Sequence, residues 1–405
     1  MNYLQLVRNY APYLGYGFTH YFFSCIGQTF LISVFVASFT TSLGIKNEGF
    51  AIIYAAATLA GAFLLPFLGN VLDNVTIRKF SLVNGLSQAF FCFLIGYAQN
   101  RYFLFFCILG LRLTGQSLMP LIASTSIGRY FTENRGKSLS LSSLGLSLSE
   151  TIMPAVAMFF IATTGWENAW RILGLMVLLI FIPLVLLLVK KDDKFQVVLP
   201  VKPGEPGLSG KTRKEVIRDR DFYTLISTAV FVPFIITGLF IHHNLLADLK
   251  GWSMEWIATC FIFYGLAKIT TTFIAGPLID SLSARVVFPF HLVPMILGVL
   301  ALLAGNHKLY ALVYLALAGV CTSLASVSST AMWVEIYGFK NLGSIKSMTT
   351  TVMVFVSATA PVLLGFFLAK SEWWQYALWA CIILMILLML RSFLVLKNKP
   401  IYTSS

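Results

Sequence analysis

The chain has 405 residues, 58% of them hydrophobic and only 11% charged, and its 29 Lys and Arg exceed its 16 Asp and Glu for a formal charge of +13. Ordinary soluble domains are about a quarter charged, so these residues cannot coat a water-exposed surface, and a set of soluble domains is excluded. The basic excess is not gathered on a polar domain, which argues against a nucleic-acid partner, and the six cysteines lie in apolar runs with no Cys-x-x-Cys, which argues against a metal centre or disulfide scaffold.

Twelve apolar segments follow one another, at roughly 12–38, 50–68, 80–98, 102–125, 138–162, 169–189, 222–246, 254–278, 286–305, 309–331, 345–369 and 373–396. A hydrocarbon core about 30 Å thick needs roughly twenty helical residues, and most segments meet that length. They lack the period-2 alternation of barrel strands, and lipid leaves the backbone no partner outside a helix. An all-α polytopic membrane protein with twelve transmembrane helices is therefore expected. Only Arg8 precedes the first run, and no obvious cleavage site follows, so that run reads as a retained span. The one long polar stretch, 190–221, is rich in Pro and Gly and reads as a linker between a bundle over 1–189 and a second over 222–405.

The basic residues set the expected orientation. With the N-terminus cytoplasmic, 21 of them fall inside and six outside, with Arg112 and Lys268 within spans. This bias places both termini in the cytoplasm of a cell, as for a bacterial inner-membrane protein, and puts the excess charge where anionic lipid headgroups lie.

The two halves echo each other. Gly69 and Asp73 close the second span and are followed by Arg78 and Lys79; Gly276 and Asp280 close the eighth and are followed by Arg285. One offset of 207 residues relates Gly69 to Gly276, Asp73 to Asp280, Arg78 to Arg285 and Pro154 to Pro361. A duplicated six-helix unit follows, as in carriers that hold substrate between paired bundles.

On these residues the chain resembles the major facilitator superfamily. The stretch Gly69-Asn-Val-Leu-Asp73 with Arg78-Lys79 is similar to that family's signature, although Asn74 stands where the family usually has Arg. The resemblance implies two pseudo-symmetric six-helix bundles, and gating roles for Gly69, Asp73, Arg78, Lys79, Gly276, Asp280 and Arg285 as a clasp on the cytoplasmic side. It also implies helix bending at Gly145, Pro154 and Pro361, without the compact Gly-Pro pair of drug antiporters. The stretches 129–137, Gly27-Gln28-Thr29-Phe30 and Gly251-Trp252-Ser253 resemble monocarboxylate-porter-like branches.

Three ionisable residues lie well inside spans, where an unpaired charge costs several kcal/mol. Arg112 can hold a carboxylate bidentately, or it can simply pair with Glu150. Glu150 is pulled towards neutrality by desolvation and towards charge by a cation, which suits a proton carrier; otherwise it only satisfies Arg112. Lys268 supplies a second cation, with snorkelling as the bland alternative. The 207 offset maps the three onto Gly319, Ser357 and Gly61, so they are not parts of the shared scaffold. Gln28, Gln116 and Tyr264 add hydrogen-bonding capacity, the latter two sharing a helix face with Arg112 and Lys268. His20, His242 and His243 are further proton-coupling candidates. Adjacent His242 and His243 point apart on a helix and do not make a metal pair, one being expected to face a vestibule and the other to pack or meet headgroups. His291 and His307 look peripheral.

The expected function is secondary active transport of a small organic anion, a monocarboxylate, by proton-coupled symport. Partners are the substrate, protons and membrane lipids, for a monomer with no cofactor and no metal. No phosphate-cradling Gly-Lys loop is present for ATP-driven transport. A proton-driven exporter of drugs or metabolites and a non-transporting receptor or scaffold are the alternatives.

Overall fold

Apolar runs in lipid must satisfy their backbone internally, and nineteen α-helices, one 3-10 turn and two π-helical turns account for the regular structure of the described residues, with one isolated bridge between Gly210 and Gly338. The computed structural model describes residues 3–131, 135–189, 210–338, 342–368 and 373–399. They divide into two units, Met1–Val201 and Lys202–Ser405.

In the first unit α1 (Tyr3–Phe23) kinks at Tyr10, just ahead of Pro12, where the proline ring disrupts the preceding turn. A tight turn over Ser24–Gly27 and an extended Gln28 interrupt the span before α2 (Thr29–Val34). A bend of 64° then leads into α3 (Val36–Leu43). α4 (Asn47–Asn74) and α5 (Ile77–Ile95) follow. α6 (Arg101–Leu111) starts on Asn100, whose side chain accepts from the backbone of Tyr102 and Phe103 at 3.1 and 2.9 Å. A π-helical turn over Arg112–Leu118 joins it to α7 (Met119–Tyr130). α8 (Arg135–Thr164), α9 (Trp166–Met176), a second π-helical turn over Val177–Phe181 and α10 (Ile182–Leu188) complete the unit. Within it α1 packs on α8, α4 on α6, and α5 on α9.

The second unit contains α11 (Arg213–Arg218), α12 (Arg220–Ile241), α13 (His243–Lys250), α14 (Met254–Leu282), α15 (Ala284–Phe290), α16 (Val293–Ala304), α17 (Lys308–Tyr337), α18 (Leu342–Leu368) and α19 (Trp374–Asn398). Here α12 packs on α18, α14 on α17, and α15 and α16 on α19.

Two expectations change. Among the described residues ten helical segments are long and apolar enough to cross a membrane, or eleven if the bent first pair is one span, against the twelve expected. The segment that falls short is α5, whose hydropathy is lowered by Arg78 and Lys79 in its first turn and by Ser81, Asn84 and Gln88 further along; the last three are the ones placed deep in the helix. All three are buried against neighbouring helices rather than lipid. The stretch 190–221 expected as a linker is described only in its second part. Residues 190–209 lie outside the described residues, but from Gly210 onward the chain is built into the second unit. Lys211 donates its backbone N–H to Tyr337 O at 2.8 Å, and Val216 of α11 packs in a core with Phe222, Trp333, Tyr337 and Leu396. Asp219 caps α12 and accepts from Lys399 Nζ at 2.6 Å and from Tyr337 Oη at 3.2 Å. Burial alone would raise its carboxyl, but the hydrogen bond and charge of Lys399 hold it below the usual aspartate value.

The turn between α14 and α15 shows one half-buried carboxylate organising backbone. Ser283 has φ +72°, a region that residues other than Gly seldom adopt. Glu335 of α17 accepts from Ser283 Oγ at 2.7 Å, Ala284 N at 2.8 Å and Arg285 N at 3.2 Å, so it both fixes the turn and caps the next helix. Replacing Glu335 with Leu leaves these donors without their acceptor and should lower unfolding stability by about 1–3 kcal/mol. The loss would appear as a reduced melting temperature in detergent, with Glu335→Gln falling in between.

Candidate functional site

Arg112 opens the π-helical turn near the middle of the Arg101–Ile127 span. It is one of the largest fully enclosed side chains in the protein, 2% exposed. Its guanidinium is met by neutral groups: Nε donates to Thr58 Oγ1 at 3.0 Å, and Nη1 to Gly27 O at 3.1 Å and Thr29 Oγ1 at 3.4 Å. The charge lies 4.7 Å from the centre of the Tyr54 ring. Tyr54 Oη is 2.6 Å from Thr29 Oγ1, and Thr58 Oγ1 donates to Tyr54 O at 2.8 Å, so these partners are themselves held.

Two backbone irregularities create this arrangement. The break in the first span exposes Gly27 O, and the π-helical turn displaces Arg112 and its neighbours from regular α-helical register; such turns recur at functional sites. The two segments touch through glycine. A side chain at Gly115 would lie 2.7 Å from Gly27 Cα, and one at Gly27 would run into Leu111 O and come within 2.9 Å of Gly115 Cα. Asn84 of α5 donates to Thr114 O at 3.2 Å, and Gln88 to Phe23 O at 2.9 Å, so the inward polar face of α5 braces both irregular segments.

Gln28 and Gln116 flank the Gly27–Gly115 contact and are half-buried. Glu150 is buried in α8, near the same broken segment. It lies close enough to Cys25 to act on it electrostatically, and neighbouring Ser149 hydrogen-bonds the thiol. The structure thus brings Arg112, Gln28, Gln116 and Glu150 around residues 25–28.

His20 belongs to a different network. It is fully enclosed, with Nδ1 on Tyr16 O at 2.8 Å and Nε2 on Ser81 Oγ at 2.9 Å, while Tyr16 Oη hydrogen-bonds the same serine.

In the second unit Lys268 is half-buried with Nζ 5.9 Å from the ring centre of buried Tyr264. His242 and His243 diverge as expected, but both are buried and neither meets headgroups. His242 Nε2 hydrogen-bonds Pro361 O at 2.7 Å, and His243 Nε2 lies 3.3 Å from Tyr314 Oη. His291 is likewise enclosed rather than peripheral, while His307 is exposed and caps α17.

The gating residues occupy helix ends. α4 runs on through Gly69 and Asp73 to Asn74, so this stretch is helix and not loop. Arg78 and Lys79 sit in the first turn of α5, Arg78 half-buried and Lys79 exposed. The side chains of Asp73 and Asp280, and the surroundings of Gly276, lie outside the described residues, as do 132–134. Arg285 Nη1 donates to Lys399 O. Pro154 and Pro361 lie inside α8 and α18, and a side chain at Gly145 would meet Phe18 O, so this glycine marks close helix approach.

Sequence reasoning missed Thr58, Tyr54 and Thr29 as the setting of Arg112, and Glu335 as the organiser of the α14–α15 turn. The i,i+4 spacing of Tyr54 and Thr58 was the available signal.

The sequence model of the Major Facilitator Superfamily matches residues 18–263 and 252–404. No curated protein sequence matches the chain. Among solved structures it is similar to a bacterial homologue of the human lysosomal transporter Spinster in an inward-facing, unoccupied conformation, at TM-score 0.73 and 14% identity, covering 97% of this chain and 98% of that one. The inward-facing, occupied form gives TM-score 0.73 and 13% identity, covering 99% of both chains. At such identities the likeness establishes the fold alone.

The Gly27–Gly115 contact makes a specific demand on the site. Gly115→Ala should displace the π-helical turn and weaken Arg112-dependent ligand binding, whereas Gly49→Ala, which meets nothing within 4 Å, should be silent. Comparing the two variants in a carboxylate-induced thermal-shift assay checks this.

Proposed function

Since the chain belongs to the Major Facilitator Superfamily, we propose that this secondary transporter carries a small organic anion, of monocarboxylate type, with a proton. It is a transporter and not an enzyme, so the chemistry required of the site is recognition and release. The carrying observation is Arg112: a buried guanidinium whose contacts are neutral retains its charge for a ligand. Its three named hydrogen bonds run from Nε and Nη1, and a guanidinium carries five N–H donors, so this reading assigns the remaining ones to a carboxylate oxygen.

In this reading Arg112 anchors the carboxylate and Gln28 and Gln116 complete its hydrogen bonding. Lys268, beside Tyr264 in the second unit, is the second cation proposed for substrate recognition. Glu150 takes up and releases the proton, because a carboxyl near the site feels an arriving anion as a like charge that favours its protonated form. His20, His242 and His243 would assist that transfer only on leaving their present hydrogen bonds. Gly69, Asp73, Arg78 and Lys79, with Gly276, Asp280 and Arg285, would clasp the cytoplasmic side, and Gly145, Pro154 and Pro361 would allow helix bending. The recurrence of the same packing pairs in each unit supports a duplicated arrangement of six helices plus six, with α5 as the twelfth span. A monomer with both termini cytoplasmic in a bacterial inner membrane fits the charge asymmetry. The branch likeness around Gly27 gains interest because that glycine is where Arg112 finds its backbone acceptor.

Uptake of radiolabelled carboxylates into proteoliposomes under an imposed pH gradient tests the proposal. Arg112→Gln and Lys268→Ala should abolish or strongly reduce uptake, and Glu150→Gln should uncouple it from the gradient. Uptake that ignores the pH gradient and Glu150→Gln would overturn the coupling. Flux of uncharged solutes alone would favour an exporter of another substrate class.

A further inference from the structure

The segment from Lys211 to Tyr223 combines three acidic side chains with five basic ones, and the structure uses them unequally. Glu215 folds back on Thr212, accepting from its backbone N at 2.6 Å and its hydroxyl at 2.8 Å in a capping box. Asp219 and Asp221 both accept from Lys399 Nζ, at 2.6 and 2.8 Å. All three carboxylates are thereby engaged within the unit. Lys211 is engaged too, lying 3.9 Å from Asp219 and over the Tyr337 ring.

Arg213, Lys214, Arg218 and Arg220 remain. All four are exposed, and among the described residues none makes a hydrogen bond or ion pair. Local helix physics favours only Arg218, in the last turn of α11. Arg213 opens α11 and Arg220 opens α12, where the macrodipole disfavours cations. Nor are they on a loose tail, because buried Val216 and the Lys211 N–H to Tyr337 O bond fix α11 to the core.

Their position gives them a partner. α12 begins a membrane span at Arg220, so the four cations stand at a membrane–water boundary. Beside them Ile217 and Tyr223 are 40% and 55% exposed, and Tyr223 Oη donates to Ile217 O at 3.0 Å, holding an amphipathic ring at headgroup depth. Apolar surface adjoining a fixed, unneutralised basic cluster matches an anionic phospholipid, with phosphate on the cations and acyl chain against Ile217 and Tyr223.

We propose that Arg213, Lys214, Arg218 and Arg220 form a binding site for the headgroup of an anionic phospholipid at the start of the second unit. The site is independent of the Arg112 reading and would stand if that failed.

The test uses the full chain in detergent micelles doped with phosphatidylglycerol or phosphatidylcholine, with retained lipid counted by native mass spectrometry. The wild type should retain phosphatidylglycerol preferentially. The quadruple Gln variant of the four cations should lose roughly tenfold or more of that retention, given the usual contribution of each cation near an anionic surface. An Arg101→Gln/Lys308→Gln control, which removes exposed cations at other span ends, should not. About 1 M salt, where the screening length is about 3 Å, should reduce retention in the wild type. Equal retention of both lipids, or unchanged phosphatidylglycerol retention in a quadruple variant that still melts like the wild type, would overturn the proposal. So would displacement of the lipid by millimolar inorganic phosphate, which would make the ligand free phosphate.

Discussion

A guanidinium in an apolar interior must find acceptors for its N–H groups or lose the solvation it had in water. Most buried arginines solve this with a carboxylate, which cancels the charge. Arg112 is solved with backbone and hydroxyl oxygens and an aromatic face, which leave the charge in place. The irregularities of the first unit follow from that choice. Regular helices have no backbone carbonyl to give, so the first span must break at residues 24–28 to offer Gly27 O, and the fourth must loosen at 112–118 to meet it. Glycines at 27 and 115 permit the approach, and α5 turns its amides inward to brace both segments.

This dependence explains the polar residues deep in α5, which add to Arg78 and Lys79 in keeping it below the hydropathy of the other spans. Ser81, Asn84 and Gln88 are unfavourable in lipid, but each is buried, hydrogen-bonded and placed against a neighbouring helix. In the second unit the position related to Arg112 by the 207 offset is Gly319, where α17 closes on Tyr264 O of α14. The same helix pairing thus serves close packing in one unit and charge placement in the other. The second unit spends its strained backbone at Ser283 instead, where Glu335 holds the turn.

Much of the architecture was legible because composition and run length report the solvent directly. Helical spans and the isolation of Arg112, Glu150 and Lys268 within apolar runs came from counting. The setting of Arg112 was not legible. A break at Gln28 and a π-helical turn at Arg112 are tertiary solutions with no hydrophobic period of their own, so the obvious partner by charge was Glu150. α5 was counted as a span like the others, because a run of mixed polarity cannot reveal which face meets lipid. Within the stretch expected as a linker, Pro and Gly frequency hides a buried anchor, Val216, among five basic residues. The histidines looked titratable by type, and only packing shows that His20, His242 and His243 are already hydrogen-bonded.

The central claim is that Arg112 keeps its charge for an anionic ligand. Calorimetric binding of a small carboxylic acid and of its neutral amide, to the wild type and to Arg112→Gln, measures this directly. The account predicts that the wild type prefers the acid by roughly tenfold or more, equivalent to about 1.4 kcal/mol, and that the preference vanishes in the variant. Equal binding of acid and amide by the wild type, or an undiminished preference in Arg112→Gln, would contradict it.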